Sequence, residues 1–274
     1  MKKILLAFDG QHFSESAFDF AYHLHTMQPA LLTGAFLSHK DYTTVWQYGV
    51  PGGAAVLPTW GLEDEDEKVA EKNIHHFETL CQNNGIDFRV HNDLGAYALY
   101  EISKESRFAD LMIIGSELFY ENIGRIQPND YMKYALRDTE CPVILVPEEK
   151  FKFPDNIVLA YDGSESSVYA IKQFTYLFPE WCKKRTILVY VGEGNEIPSQ
   201  IYIEELAARH FSNLTLFKMD VSPRNHFITW LADQKNPLLV TGAFGRGGLN
   251  EFFRKSFITD IIRDYKTPVF IAHK

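Results

Sequence analysis

Two aspartates and one glycine-rich loop carry the residue types from which a ligand site could be built. Asp9 and Asp162 each close a short apolar run and precede a glycine, in Ile4-Leu5-Leu6-Ala7-Phe8-Asp9-Gly10 and Ile157-Val158-Leu159-Ala160-Tyr161-Asp162-Gly163. A carboxylate so placed can accept hydrogen bonds from ligand hydroxyl or amino groups, or it can turn the chain and cap the next helix. The loop Gly242-Ala243-Phe244-Gly245-Arg246-Gly247-Gly248 puts four glycines in seven residues directly after another apolar run. Glycine lets the backbone approach an anion closely, and successive amides there can form a nest for phosphate oxygens. Nine residues after Gly245, from Arg246 to Arg254, come Lys255 and Ser256. They fall where a final helix should begin, and the free amides of a helix start favour phosphate. Arg246, Arg254 and Lys255 supply cations, while the GK[ST] closure of a Walker loop is missing.

Other constellations read as structure. His23 and His25 are two apart and His75 and His76 adjacent, so neither pair shares a helix face as a metal site requires. Ser164-Glu165-Ser166-Ser167 follows a strand as a hydrolase nucleophile would, but G-x-S-x-G is absent and capping explains Ser164. The run Glu63-Asp64-Glu65-Asp66-Glu67 opens a helical pattern, where carboxylates suit the positive end of the dipole.

The elements that must position these residues come in two sets. The Asp-Gly run recurs at an offset of 153 residues, Asp110-Leu111-Met112-Ile113-Ile114-Gly115 returns as Pro237-Leu238-Leu239-Val240-Thr241-Gly242 at 127, and Cys141-Pro142-Val143-Ile144-Leu145-Val146 as Thr267-Pro268-Val269-Phe270-Ile271-Ala272 at 126. One unit is therefore repeated, with about 26 additional residues in the first copy, mostly between His39 and Leu62, where Trp46, Tyr48 and Trp60 stand. These aromatics are expected to fold back partly ordered against the first unit, as a cover over its cleft, rather than to form a mobile tether. Short apolar runs alternating with helical patterns predict a parallel sheet buried on both faces. Strands are expected near 3–8, 30–37, 86–91, 110–115 and 143–146, and near 156–161, 185–191, 213–219, 237–241 and 269–272. Helices are expected at 14–27, 64–84, 95–107 and 129–138, then at 164–178, 199–210, 222–235 and 254–265, with Ser14, Ser164 and Ser222 as caps. The fold class is α/β, two tandem doubly wound five-stranded parallel-sheet domains at 1–147 and 155–274, joined by the proline-bounded, charged segment 147–154.

Composition narrows the function. The net charge is −9, yet residues 1–147 carry 11 basic and 21 acidic side chains, whereas 148–274 carry 16 and 15, so an anionic ligand should prefer the second half. An acidic protein is a poor general nucleic-acid binder. Three isolated cysteines, Cys81, Cys141 and Cys182, offer neither a disulfide framework nor a CxxC pair and fit a reducing compartment. No apolar stretch approaches the roughly 20 residues that span a bilayer, and Asp9 interrupts the signal-like start Met1-Lys2-Lys3-Ile4-Leu5-Leu6-Ala7. The expected location is the cytoplasm, without membrane contact.

The paired first-strand Asp-Gly, the G-x-x-G loop after strand four and the closing [CT]-P-V strand resemble the universal stress protein family in its tandem form, over nearly the whole chain. The resemblance implies an adenine-nucleotide-alpha-hydrolase-like fold and a site for ATP or another adenine nucleotide, with or without Mg²⁺. In ATP-binding members the loop reads G-x-x-G, nine residues, then G-[ST]. The second copy matches with Asp162, Gly242, Gly245 and Ser256, Arg246 lies within the loop, and Lys255 replaces the third glycine. In the first copy Gly115 is followed by Ser116-Glu117-Leu118, and an acidic, bulky loop opposes phosphate. The site residues expected to hold nucleotide are thus Asp162, Gly242, Gly245, Arg246, Lys255 and Ser256. The resemblance also implies that the two units pack about a pseudo-twofold axis through their last strands without merging into a single sheet. Such an intrachain pseudo-dimer leaves homo-oligomers of the whole chain and an unknown protein partner open. The leading reading is a stress-response protein with a regulatory nucleotide and no dedicated catalyst. A slow ATP hydrolase and a ligand-free interaction scaffold are the alternatives.

Overall fold

The computed structural model describes residues 1–37, 62–93, 98–119, 132, 136, 138–148, 152–191, 196–219, 224–242, 261 and 266–272. The strands run in two sets. The first comprises β1 (Lys3–Phe8), β2 (Leu31–Leu37), β3 (Phe88–Asp93), β4 (Leu111–Gly115) and β5 (Val143–Val146). The second comprises β6 (Asn156–Tyr161), β7 (Arg185–Val191), β8 (Asn213–Met219), β9 (Pro237–Gly242) and β10 (Val269–Ala272). The helices are α1 (Glu15–Met27), α2 (Leu62–Asn83), α3 (Ala98–Arg107), α4 (Glu165–Leu177), α5 (Gln200–His210) and α6 (Arg224–Ala232). Met132, Leu136 and Asp138 are helical, as is Ile261, on the stretches where a closing helix is expected in each copy.

All ten strands form one sheet in the order β3-β2-β1-β4-β5-β10-β9-β6-β7-β8. Each half repeats the same internal order with parallel neighbours, and the halves meet where β5 and β10 pair antiparallel. The register sets Ile144 opposite Phe270, flanked by Leu145 opposite Val269 and Val143 opposite Ile271. Ile144 and Phe270 are equivalent positions of the repeat, so a local pseudo-twofold passes between them. Pairing through the last strands is as expected, but the expectation that the halves stay separate sheets is wrong. Two short apolar strands with unpaired edges satisfy their backbone groups by bonding to each other, which removes both inner edges at once.

Burial on both faces explains why these segments are strands. β1, β4, β5, β6, β9 and β10 are almost entirely buried, as sheet strands covered by helices on both sides must be. On one face Ile4, Leu6 and Phe8 join Phe18 and Phe20 of α1, Phe77 of α2, Phe174 of α4 and Ile203 of α5 in one core. On the other, Leu5 and Ala7 join Ile102 of α3, Met132, Leu136, Phe227 of α6 and Ile261. Both cores run through the two halves, and Phe20 meets Trp181 edge-on at 6.0 Å across them. Burying one such side chain stabilises the fold by roughly 1.5–3 kcal/mol.

Local signals place most ends. Ser14 accepts from Ala17 N and Ser164 from Ser167 N, so both expected caps are in use. The acidic run 63–67 lies in the first turns of α2. β3 begins at Phe88 rather than at 86, because Gly85 turns with φ +65 and Ile86 N donates back to Cys81 O at the end of α2. The expectation of burial on both faces fails for β8, an edge strand most of whose side chains are open, with Leu216 and Phe217 each 37% exposed. The expected cap Ser222 and the aromatic insertion with Trp46, Tyr48 and Trp60 lie outside the described residues.

Candidate functional site

In a parallel sheet the loops and helix starts gather at the carboxyl ends of the strands. Both Asp-Gly turns stand there, with Gly10 at φ +85 and Gly163 at φ +82, a conformation that side chains rarely adopt. Asp162 follows β6 and Gly242 ends the adjacent β9, so the structure brings these two expected site residues to one edge. The start of α4 joins them: Ser164 N donates to Asp162 Oδ1 at 2.9 Å, and a Cβ on Gly242 would come within 2.6 Å of the Ser166 carbonyl carbon and 2.7 Å of Ser167 N. Glycine at 242 is therefore dictated by main chain against main chain. Tyr161, just before the aspartate, donates its hydroxyl to Pro198 O at 2.7 Å, bringing the loop after β7 to the same edge. Gly245, Arg246, Lys255 and Ser256 lie outside the described residues.

The first half starts from the same turn and closes it. Asp9 is 3% exposed; its Oδ1 accepts from Gln11 N at 2.9 Å and His12 N at 2.8 Å, and its Oδ2 faces His12 Nδ1 at 2.8 Å. Phe13 stacks on Phe8 at 4.8 Å and meets His76 edge-on at 4.7 Å, while His76 Nε2 lies 2.6 Å from Glu15 Oε1. At the end of β4, the space above Gly115 holds a carboxylate: a Cβ there would fall on Glu148 Oε1, with Ser14 Oγ 2.6 Å away. Glu117 accepts from the Ser116 hydroxyl and, at 2.9 Å, from Glu148 N. Its other oxygen meets Lys266 Nζ of the second half at 2.6 Å. Sequence reasoning identifies Glu117 as hostile to phosphate but misses Glu148 and Lys266. The available signal was the 126-residue offset, which aligns Glu148 with Lys274 and so sets an acid against a base just past equivalent strands.

The buried thiols and histidines among the described residues are held in structural contacts. Burial pushes the Cys81 and Cys141 thiols up to about 12 and Cys182 up to about 11, which keeps them protonated and poorly nucleophilic. His25 Nδ1 lies 2.9 Å from Ala30 O, and His23 stacks on Phe153 at 3.8 Å, its pKa lowered by burial and by Lys184. Among the described residues no group of three or more His, Cys, Asp or Glu is arranged to hold a metal ion, and no helix is long and apolar enough to cross a membrane.

No protein-family model matches the sequence, and no curated protein matches it. Solved structures do. The chain is similar to a universal stress protein from Archaeoglobus fulgidus DSM 4304, with a TM-score of 0.69 and 17% identity over 99% of this chain and 96% of that one. It is also similar to a putative universal stress protein from Pseudomonas aeruginosa UCBPP-PA14, with a TM-score of 0.52 and 14% identity over 100% of this chain and 93% of that one. A protein of unknown function from Pseudomonas aeruginosa PAO1 aligns with a TM-score of 0.55 and 12% identity over 100% and 92%. Over its whole length the chain therefore has the tandem α/β architecture of universal stress proteins. At such identities the likeness concerns the fold.

Proposed function

We propose that the chain is a cytoplasmic stress-response protein of the tandem universal-stress-protein kind, with 1–147 and 155–274 as its units, holding an adenine nucleotide such as ATP or AMP in the second as a regulatory ligand. The observation that carries this reading is the contrast between the two carboxyl edges. In the first half, Glu148 and Glu117 occupy the end of β4, where added anionic charge is repelled. In the second, Gly242 lies against the amide-bearing start of α4 beside Asp162, and the sequence beyond it is rich in glycine and cations. Asp162 would take nucleoside hydroxyls, and Gly245, Arg246, Lys255 and Ser256 the phosphates.

Acid or heat release from the purified chain, followed by assay of co-purified nucleotide, is the direct test. Calorimetric titration should then saturate at one ATP per chain, and Gly245→Val should remove binding. Two equivalent sites would overturn the assignment to the second half. Absence of binding would favour the ligand-free scaffold, and steady turnover of bound ATP would favour the hydrolase.

A further inference from the structure

Glu148 is held by both backbone groups: its N–H donates to Glu117 Oε2 at 2.9 Å, and its carbonyl accepts from Ser16 Oγ at 3.1 Å. Thus anchored, the side chain turns in over Gly115, where its Oε1 is buried without a hydrogen-bond partner among the described residues. Ser14 Oγ accepts from Ala17 N at 3.0 Å and keeps its own proton, so it eases the carboxyl's burial, but it falls short of bonding geometry with Oε1. A buried carboxylate oxygen in that position is costly, whereas a neutral acid is tolerated. Among the described residues the groups facing it are Ser14 from the cap of α1, Glu15 and Ser16 from α1, His12 from the turn before it, Ser116 and Glu117 from the end of β4, and Lys266 through Glu117. Two of these are carboxylates, and Lys266 is already bonded to one of them.

We propose that Glu148 is a protonation-gated latch: seated as a neutral acid it closes the carboxyl edge of the first half and pins the start of the connection to the second, and once ionised it is driven out by its burial and by Glu117 and Glu15. Burial, tempered by Ser14 and reinforced by Glu117 and Glu15, pushes its pKa up to about 7 from the ordinary 4.5. A carboxyl raised in the folded state stabilises it fully below the unfolded pKa and loses that contribution as pH climbs through the folded one. The latch is therefore closed in acid, weakens from about pH 4.5 upward and is mostly released above about pH 7.

The test uses the full chain labelled with carboxyl ¹³C-glutamate. The Glu148 resonance, assigned by its loss in Glu148→Gln, should titrate with a midpoint near 7, and an ordinary midpoint near 4.5 would overturn the proposal. Hydrogen exchange at the Glu148 amide, corrected for the intrinsic pH dependence of exchange, should lose about tenfold of its protection between pH 6 and 8, following the neutral fraction. Glu148→Gln should keep its protection over that range, because the amide stays neutral, while Glu148→Asp, a methylene too short to seat, should be poorly protected throughout. A pH-dependent loss of the same size in Glu148→Gln would also overturn it. Should the variants fold poorly, resonance assignment in the native chain by backbone connectivity leaves the titration decisive.

Discussion

The edges beyond β1 and β6 begin with the same Asp-Gly turn and finish differently because of what their loops bring in. In the first half four residues separate Asp9 from the cap Ser14, and they let the carboxylate be saturated by Gln11 and His12 while Phe13 stacks on Phe8. In the second half a single residue separates Asp162 from the cap Ser164, the aspartate is only half-buried, and Tyr161 reaches across to Pro198. At the neighbouring strand ends, Gly115 faces a carboxylate and Gly242 faces the main chain of a helix start. A duplicated sheet can thus keep its strands and registers while its loops give the two carboxyl edges different surroundings.

The comparison is most severely tested at the junction. Phe270→Ala should destabilise the protein by about 3–5 kcal/mol and Ile144→Ala by about 2–5 kcal/mol, in urea unfolding. Because both cores are continuous across β5 and β10, the two halves should unfold in one transition in each variant. Two well-separated transitions would show that the halves are energetically independent. Next comes the charge contrast between the loops. Lys255→Gln should weaken ATP by about 1.5–3 kcal/mol, the worth of a charge-assisted contact, and leave adenosine nearly unchanged in calorimetry. Equal losses for both ligands would place Lys255 away from phosphate.

A smaller effect distinguishes the two glycines. Gly242→Ala should cost about 1–3 kcal/mol, because its Cβ would strike the Ser166 and Ser167 backbone. Gly115→Ala should cost less, since the Glu148 carboxyl and Ser14 side chain stand in the way rather than main chain. Thermal unfolding of both variants gives the order, and a reversed order would mean that Ser14 and Glu148 are held more rigidly than the start of α4. Smallest of all, Lys266→Met should cost no more than about 1 kcal/mol, as for a partly exposed ion pair. Added salt should narrow the gap to the native protein.

The sheet was readable because apolar runs and their repeat offsets are local, and nine of the ten strands start within one residue of expectation. β3 slipped because the end of α2 draws Ile86 into its closing turn, a contact that periodicity cannot express. β8 reads as apolar, yet whether it is interior or edge depends on strand order. Asp162 and Gly242 were legible from spacing and stand at one edge. Glu148 was not, since an acid in a charged connection looks solvated until the fold lays it over Gly115. The Lys266–Glu117 contact spans 149 residues and exists only because β10 runs antiparallel to β5.

That antiparallel seam also governs assembly on the ribosome. β10 is the last of the described strands in chain order, yet it lies between β5 and β9 in the middle of the sheet. A nascent chain that has emerged only through Gly242 can complete β1–β5 and pair β6 with its neighbours, but it carries two bare apolar borders. Each is a template for strands of other chains until Val269–Ala272 arrives to stitch them together. Translation halted before Val269 should therefore leave an aggregation-prone product, whereas with Val269–Ala272 in place the unpaired borders of the described strands are the outer ones of β3 and β8.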